Sequence, residues 1–259
     1  MADMKTAVVT GASSGIGQAT VRLLRQHGWD VVGVARRRDR LDRLAEETGA
    51  TTFVADVTSD ADIAALVAFL RERGPVNALV NNAGGAIGAD PIERSSIDDW
   101  RQMFETNVLG VVRVTQALLP LLREASLTAP NSDILTISST AGHVAYENGG
   151  GYTAAKHGTT DVIETLRLEL AGEPIRVTEV APGMVQTAEF SLNRFGGDQA
   201  AADKVYEGVE APLTAEDIAL IIVTMLELPT HINLDLVVAR PVAQAAQHKV
   251  TRGPLRPKL

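Results

Sequence analysis

Short apolar runs alternate with longer segments of helical periodicity from one end of the chain to the other. This alternation restricts the possible folds, because strands separated by helices usually pair in parallel. Several of the runs are almost continuously apolar, which is typical of strands that helices cover on both faces. The sequence therefore predicts an α/β fold with a doubly wound sheet. The predicted strands are Thr6–Thr10, Val31–Val34, Thr52–Ala55, Ala78–Asn81, Ile134–Ser138, Arg176–Ala181 and Leu234–Ala239.

Capping residues mark the starts of several predicted helices. Thr58, Ser96 and Thr214 each precede acidic residues and then an apolar pattern, as is common at helix N-termini. The predicted helices include Ile16–His27, Ala61–Arg73, Asp98–Ala125, Thr153–Ala171 and Ala215–Leu226.

No Pro/Gly-rich linker, composition break or internal repeat divides the 259 residues. We therefore expect residues 1–259 to form a single domain around a seven-stranded, mainly parallel sheet. Within it we expect a substrate lid at about residues 183–210. The basic, proline-containing end of the chain predicts a tail over residues 240–259 that takes part in a subunit interface.

Composition argues against several classes of partner. The net charge of −8 is the opposite of what a nucleic-acid surface needs. With no cysteines and five scattered histidines, we expect neither disulfides nor a metal site. The N-terminus lacks the features of a signal peptide, and the longest apolar stretch, Ile218–Leu226, is far shorter than the ~20 residues of a membrane span. We expect a cytoplasmic protein that binds no membrane.

A glycine-rich sequence joins the first predicted strand to the first predicted helix. Glycines permit a tight turn and a close approach to a pyrophosphate, and a helix N-terminus offers free N–H groups. The spacing, G-x-x-x-G-x-G, differs from the common G-x-G-x-x-G fingerprint, and an ordinary turn is the alternative. The strand–turn–helix context favours a dinucleotide and a Rossmann-type fold. The residues predicted to bind it here are Gly11, Ser13, Ser14, Gly15, Ile16 and Gly17.

Two further polar sequences close the third and fourth predicted strands. Asp56-Val57 follows the third strand, and Asn81–Gly84 (NNAG) follows the fourth. Ligands of open parallel sheets bind at the carboxyl ends of the strands, although each sequence is also compatible with ordinary turn chemistry. The residues predicted to contact the cofactor at these ends are Asp56, Val57, Asn82, Ala83 and Gly84.

Ser139, Tyr152 and Lys156 form the predicted catalytic group. Tyr152 and Lys156 are four residues apart near the start of a predicted helix, so both project from one face. A free tyrosine has a pKa of about 10, and an adjacent ammonium would lower the pKa of Tyr152 toward the range useful for acid–base catalysis. Ser139, at the end of the fifth strand, is placed to donate a hydrogen bond to a substrate oxygen. A solvent-exposed Tyr–Lys pair is the alternative for an isolated YxxxK sequence.

The end of the second predicted strand indicates which dinucleotide binds. Sites for NAD place an acidic residue there against the ribose 2′-hydroxyl, whereas arginine suits a 2′-phosphate. Here Ala35 is followed by Arg36 and Arg37, and the first acidic residue is Asp39. The alternative is a solvated basic helix start, but positive charge at a helix N-terminus is unfavourable. The sequence therefore predicts NADP (NADPH) as cofactor, bound by Arg36 and Arg37.

These motifs together resemble one known family, the short-chain dehydrogenases/reductases, over essentially the whole chain. The matching residues are Thr10–Gly17, Asp56-Val57, Asn81–Gly84, Asn107 in Glu105-Thr106-Asn107, ISS ending at Ser139, Tyr152–Lys156 and Pro182-Gly183. Within the family the chain is most similar to NADP-dependent 3-hydroxy acid and serine dehydrogenases. The segments that carry this similarity are Val177–Val185, Thr187–Phe190, Arg194-Phe195, Ile232–Leu234 and Arg240–Gln244.

The resemblance implies roles for individual residues. Asn107, Ser139, Tyr152 and Lys156 would form a catalytic tetrad, in which Asn107 holds a water of a proton relay and Lys156 also binds the nicotinamide ribose. The nicotinamide end would meet the segment after the sixth strand. The residues implied there are Pro182, Gly183, Val185 and Thr187. The family also suggests a homotetramer.

The predicted function is an NADP-dependent oxidoreductase that interconverts a small alcohol and its carbonyl compound. A 3-hydroxy acid or β-hydroxy amino acid is the expected substrate class, with Ser139, Tyr152 and Arg194 as substrate-binding residues. The alternative is a non-catalytic NADP-binding regulatory protein, because a fold does not fix a function. That alternative would be favoured by a broken tetrad, whereas all four residues are present.

Overall fold

The computed structural model describes residues 4–257, so residues 1–3 and 258–259 of the predicted domain and tail lie outside the described part. Strands of the main sheet are β1 (Thr6–Thr10), β2 (Asp30–Ala35), β3 (Thr51–Val54), β4 (Ala78–Asn81), β5 (Ser132–Ile137), β6 (Ile175–Pro182) and β7 (Leu236–Ala239). They pair in the order β3-β2-β1-β4-β5-β6-β7, and every pair is parallel. The predicted doubly wound, Rossmann-type fold is confirmed.

Helices cover both faces of this sheet. The α-helices of residues 4–257 are α1 (Gly15–Gln26), α2 (Arg38–Thr48), α3 (Asp60–Arg73), α4 (Ile97–Phe104), α5 (Gly110–Ala125), α6 (Gly150–Glu169), α7 (Phe190–Arg194), α8 (Gln199–Tyr206) and α9 (Ala215–Leu226). A π-helical turn, Glu105–Leu109, joins α4 to α5. Among residues 4–257, no helix combines the length and the apolar character that a bilayer crossing requires.

The core lies in two layers, one on each side of the sheet. On one side α1, α2 and α9 bury Leu24, Leu44 and Ile222 against it. On the other side α3 and α5 bury Leu66 and Leu118, together with apolar side chains of α6. Each fully buried side chain of this size contributes roughly 1.5–3 kcal/mol through removal of apolar surface from water. These layers hold the strands in register, which fixes where each strand ends.

The strand order reverses at β1, which lies between β2 and β4. From β1 the chain first builds outward through β2 to β3, and then returns to β4 on the other side. In open parallel sheets, ligands bind in the crevice at the carboxyl ends of strands next to such a reversal. The glycine-rich turn after β1 and the Asn81–Gly84 sequence after β4 therefore meet at one crevice.

Two of the three predicted helix caps are confirmed, and one is wrong. Ser96 and Thr214 accept hydrogen bonds from backbone N–H groups of α4 and α9, as predicted. For α3 the predicted cap, Thr58, is wrong: Ser59 accepts from the Asp62 N–H at 3.2 Å. Thr58 instead donates its hydroxyl to Asp56 at 2.8 Å, because the two residues form a local turn.

Several predicted elements differ from the structure in their extent. The single predicted helix Asp98–Ala125 is interrupted by the π-helical turn, and the last strand begins at Leu236 rather than at Leu234. The short helices α7 and α8 fall inside the predicted lid segment, 183–210. A hairpin of β8 (Gln244–Ala246) and β9 (Lys249–Val250) follows the main sheet.

The described part of the tail folds back on the domain. Gln244 accepts from the Met184 N–H at 2.9 Å, and Gln247 accepts from the Thr140 hydroxyl at 2.8 Å. The Gly253 N–H donates to the Gly208 carbonyl at 2.6 Å. The tail therefore supports the loops that follow β5 and β6, a role that the sequence did not predict.

A buried ion pair joins β5, β6 and the end of α9. Arg176 donates to Asp133 at 2.6 Å and to the carbonyls of Leu226 and Leu228 at 3.0 and 3.2 Å. Helix-terminal carbonyls lack partners within their own helix, so Arg176 satisfies groups that burial would otherwise leave unpaired.

We predict that Arg176→Met destabilises the protein by about 3–5 kcal/mol, because it leaves the buried Asp133 carboxylate without its partner. Urea unfolding at fixed protein concentration measures the change. Arg123→Ala is the matched control, since Arg123 forms a solvent-exposed pair with Glu173 and should have a much smaller effect. Equal effects of the two substitutions would contradict this account of Arg176.

Candidate active site

The glycine-rich turn brings the N-terminus of α1 against the ends of β1 and β4. Gly11 has φ +68°, and a Cβ at this position would lie 2.7 Å from Nδ2 of Asn82. A Cβ at Gly17 would collide with the Gly11 carbonyl. The Asn82 amide donates to the Thr10 carbonyl at 2.9 Å, and the Thr10 hydroxyl accepts from the Ala83 N–H at 3.0 Å. The two predicted cofactor-binding turns are therefore one hydrogen-bonded unit.

The π-helical turn positions Asn107 below this unit. The Asn107 side chain is buried, donates to the carbonyls of Gly85 and Met103 at 3.0 and 2.8 Å, and accepts from the Gly85 N–H at 3.1 Å. Its backbone carbonyl accepts from the Thr159 hydroxyl at 2.9 Å. Asn107 therefore ties the loop after β4 to α6, the helix that carries Tyr152 and Lys156. π-helical turns inside α-helices are frequent at functional sites.

Tyr152 and Lys156 lie in the first turns of α6, and both are buried. The Lys156 ammonium donates to the Ile137 carbonyl at 3.0 Å. Ser139 follows β5 and begins a short 3₁₀ turn, where its hydroxyl accepts from the Ala141 N–H at 3.1 Å. The ring of Phe190 packs edge-on against Tyr152, with 5.9 Å between ring centroids.

Burial dominates the ionisation of both groups on α6. It raises the pKa of Tyr152, and Tyr146 adds to this rise, while a hydrogen bond with Ser139 and the charge of Arg194 oppose it. It lowers the pKa of Lys156 to about 8, and the negative charge of Glu179 opposes that fall. The expected lowering of the Tyr152 pKa by Lys156 is therefore not seen, because desolvation of the phenolate outweighs nearby charges.

Arg36 and Arg37 differ in their exposure and in their contacts. The Arg36 side chain is 74% exposed and lies 3.6 Å from Asp56. Arg37 is half-buried and donates to the Ser13 and Ser14 hydroxyls of the glycine-rich turn, at 2.9 Å each. It also lies 2.9 Å from the carboxylate of Glu189. Of the two, Arg37 is the arginine held at the turn.

One cavity of about 830 Å³ gathers the predicted site residues. It is lined by every predicted cofactor, catalytic and substrate residue except Gly17, which packs under the turn. The lining residues come from the ends of β1 to β6, from α4 and the π-helical turn, from α6 and the loop before it, from segment 183–210 and from the tail. Those predicted from the sequence are Gly11, Ser13, Ser14, Gly15, Ile16, Arg36, Arg37, Asp56, Val57, Asn82, Ala83, Gly84, Asn107, Ser139, Tyr152, Lys156, Pro182, Gly183, Val185, Thr187 and Arg194.

Arg194 lies at the Tyr152 end of this cavity. Its guanidinium donates to the Tyr146 hydroxyl at 3.1 Å and to the Gly88 carbonyl at 3.2 Å, and lies 5.9 Å from the centroid of the Tyr152 ring. This places a positive charge beside the predicted acid–base residue. Segment 183–210 thus contributes two side chains, Phe190 and the cation Arg194, to the Tyr152 end of the cavity.

Several functional neighbours were not predicted from the sequence. Glu189 and Arg40 form an ion pair with each other, and Glu189 also pairs with Arg37. Buried Glu179 accepts from Thr160 at 3.0 Å behind Lys156. Glu179 and Glu189 lie in segments that carry the family similarity, but no local pattern predicts their contacts with residues distant in sequence, so only the fold brings the partners together.

The cavity fits a dinucleotide in its shape and in the chemistry of its donors. At one end lies a tightly packed turn, in which Cβ atoms at Gly11 and Gly17 would meet neighbouring backbone or Asn82 atoms, and Gly11 and Gly15 line the crevice there. Arg37 and two serine hydroxyls beside this turn are donors suited to phosphate oxygens. At the other end lie buried Tyr152 and Lys156.

Comparisons with known proteins agree with this geometry. The family model described as short chain dehydrogenase matches residues 5–194. An uncharacterized oxidoreductase of Mycobacterium tuberculosis is 49% identical over 252 residues, 97% of each chain, and serine 3-dehydrogenase of Agrobacterium fabrum is 39% identical over 243 residues, 93% of this chain and 95% of the relative. The closed form of serine dehydrogenase complexed with NADP+ superposes with a TM-score of 0.87 at 35% identity, covering 98% of this chain and 99% of that one. The chain belongs to the short-chain dehydrogenase family.

Proposed function

We propose that this protein is an NADP-dependent oxidoreductase that interconverts an alcohol and its carbonyl compound, with Tyr152 as the acid–base residue. The observation that carries this proposal is the single cavity that joins the glycine-rich turn to buried Tyr152 and Lys156. A dinucleotide laid along this cavity would have its phosphates at the turn and its nicotinamide near Tyr152. The bound cofactor would supply the hydride chemistry.

The residues of the chain would then bind and orient the cofactor and the substrate, and would transfer a proton. The glycine-rich turn would hold the pyrophosphate and Arg37 the 2′-phosphate, and Asn82, Asp56 and Val57 would border the adenosine side of the crevice. Pro182, Gly183, Val185 and Thr187 would border the nicotinamide end, as the family resemblance implies. Lys156 would hold the nicotinamide ribose, and Asn107 would hold a water of the proton relay.

Tyr152 would carry out the proton transfer at the substrate oxygen. Because burial raises its pKa, the phenol is protonated at neutral pH and is ready to donate a proton in carbonyl reduction. The Lys156 ammonium, with a pKa of about 8, keeps its charge at neutral pH and would help to stabilise a phenolate after that transfer. Ser139 would donate a hydrogen bond to the same oxygen.

The choice of NADP rests on charge at the end of β2. Ala35 ends this strand, where a site for NAD would place an acidic residue. Arg37 lies beside Ser13 and Ser14, and Arg36 lies at the rim of the same cavity. Of the similar solved structures, a serine dehydrogenase holds NADP+, which supports the same choice here.

The substrate we propose is a small 3-hydroxy acid or β-hydroxy amino acid. A carboxylate bound to Arg194 would hold such a molecule with its hydroxyl toward Tyr152. The similarity to serine 3-dehydrogenase supports this class. Burial of Asn107, Tyr152 and Lys156 favours an enzyme over a non-catalytic regulatory protein, because such a protein gains nothing from the desolvation cost of a buried lysine.

We further propose that segment 183–210 is the substrate lid, that residues 240–259 take part in a subunit interface, and that the protein is a cytoplasmic homotetramer. Exposed apolar side chains support an assembly, because surfaces that cluster such groups tend to mark interfaces. The described examples on α6 and near β7 include Leu168, Leu236, Val238 and Val242.

The first prediction for this function is that Tyr152→Phe lowers kcat by about 10²–10⁴-fold, because it removes the proton donor. Binding of NADP+, measured by calorimetry, should stay within a few-fold of wild type. Tyr206→Phe is the matched control, since Tyr206 donates to the Val185 carbonyl at 2.8 Å and should lose less than tenfold. A Tyr152→Phe variant that keeps more than about a tenth of the wild-type kcat would contradict the assignment.

The second prediction is that Arg194→Ala raises KM for 3-hydroxy acids on the order of tenfold or more, because one charged hydrogen bond is worth about 1.5–3 kcal/mol. Neutral alcohols should be much less affected. Steady-state kinetics with both substrate classes measures the difference, and Arg101→Ala, in an exposed pair on α4, is the control. An equal rise in KM for both classes would show that Arg194 only supports the local fold.

A further inference from the structure

Glu189 forms ion pairs with two arginines, Arg37 and Arg40, at the end of the cavity proposed to bind the cofactor phosphates. Its carboxylate lies 2.9 Å from Arg37, and it also pairs with Arg40 on α2. The Glu189 side chain is 18% exposed, against 40% and 38% for the two arginines, so the carboxylate lies beneath the pair rather than out in solvent. Arg37 and Arg40 therefore both pair with the Glu189 carboxylate, at the end of the cavity where a cofactor phosphate would need these arginines as its own partners.

The Glu189 carboxylate is ionised in this arrangement. Burial opposes ionisation, but hydrogen bonds with Ser14 and Arg37 and the charges of Arg37 and Arg40 outweigh it, so the pKa of Glu189 lies below its usual value. Glu189 therefore carries a full negative charge at neutral pH. A phosphate that approaches the same arginines meets this charge as well as theirs.

The contact also spans two parts of the fold. Arg37 lies at the start of α2 and donates to the glycine-rich turn, whereas Glu189 immediately precedes α7 in segment 183–210. The next residue, Phe190, packs against the Tyr152 ring at the reacting end of the cavity. A shift of Glu189 away from the arginines would therefore move the backbone that carries Phe190.

We propose that Glu189 is a specificity-determining residue, an internal anion that occupies the arginines to which the 2′-phosphate of NADP(H) would bind. This inference rests on the proposed function, since it concerns the same cofactor site. Binding of a 2′-phosphorylated dinucleotide requires Arg37 and Arg40 to exchange the Glu189 carboxylate for the phosphate. A dinucleotide with a free 2′-hydroxyl carries no such charge and leaves the contact in place.

The exchange has a definite consequence for affinity. A 2′-phosphate brings roughly two negative charges, and at this position it would be repelled by Glu189 while it is attracted by the arginines. Removing the Glu189 charge should therefore tighten binding of the 2′-phosphorylated cofactor selectively. If Glu189 instead oriented Arg37 for the phosphate, the same change would weaken binding.

The test is calorimetric titration of the cofactor-free full chain with NADP+ and with NAD+, which differ only in the 2′-phosphate. Glu189→Gln keeps the shape of the side chain and removes its charge. We expect this variant to bind NADP+ on the order of tenfold more tightly than wild type, a factor that corresponds to ~1.4 kcal/mol. Its affinity for NAD+ should change less than threefold. Glu189→Ala, which also removes the charge, should likewise tighten binding of NADP+ and not of NAD+.

Glu173→Gln is the matched control, because Glu173 pairs with Arg123 on the surface away from the cavity. It should change neither affinity. Unchanged or weaker binding of NADP+ by Glu189→Gln would overturn the proposal, and so would equal tightening of NADP+ and NAD+, which would indicate a general loosening of segment 183–210. A wild-type protein that prefers NAD+ would instead contradict the proposed cofactor, whatever the Glu189 variants do.

Discussion

Gly17 packs directly beneath the carbonyl of Gly11, and a side chain at position 17 would collide with that carbonyl and with the Asn82 amide. This close contact lets the N-terminus of α1 reach the ends of β1 and β4 at the point where the strand order reverses. The hydrogen bonds between Thr10 and the loop after β4 then fix both turns as one unit. The cavity extends from this unit to α6, so the position of Tyr152 relative to the crevice depends on it.

Charge is distributed unequally between the two ends of the cavity. At the phosphate end Arg37 is partly exposed and already paired with Glu189, so binding of a 2′-phosphate there would be an exchange of anions. At the reacting end Tyr152 and Lys156 are buried, and burial moves their pKa values in opposite directions, each toward the neutral form. The first arrangement suits recognition of a charged cofactor. The second keeps a proton on the phenol until a substrate oxygen needs it.

The sequence predicted the parallel sheet, and it predicted residues that the fold brings to one cavity, because their signals are local. Tyr152 and Lys156 share a helix face through their spacing of four, and the glycine-rich turn follows directly from β1. The contact between Glu189 and Arg37 could not be predicted, because the two residues are 152 positions apart and no local sequence pattern indicates that they pair. The rise in the pKa of Tyr152 was also missed, because burial depends on packing that spacing alone does not reveal.

A crystal structure of the protein with NADP+ tests the central claim most directly, namely that one cavity binds the whole dinucleotide with its reactive end at Tyr152. We predict the pyrophosphate at the glycine-rich turn, the 2′-phosphate in hydrogen-bonding contact with Arg37, and the nicotinamide beside Tyr152 and Lys156. A nicotinamide that lies away from Tyr152, or a 2′-phosphate that faces solvent without an arginine partner, would contradict the account.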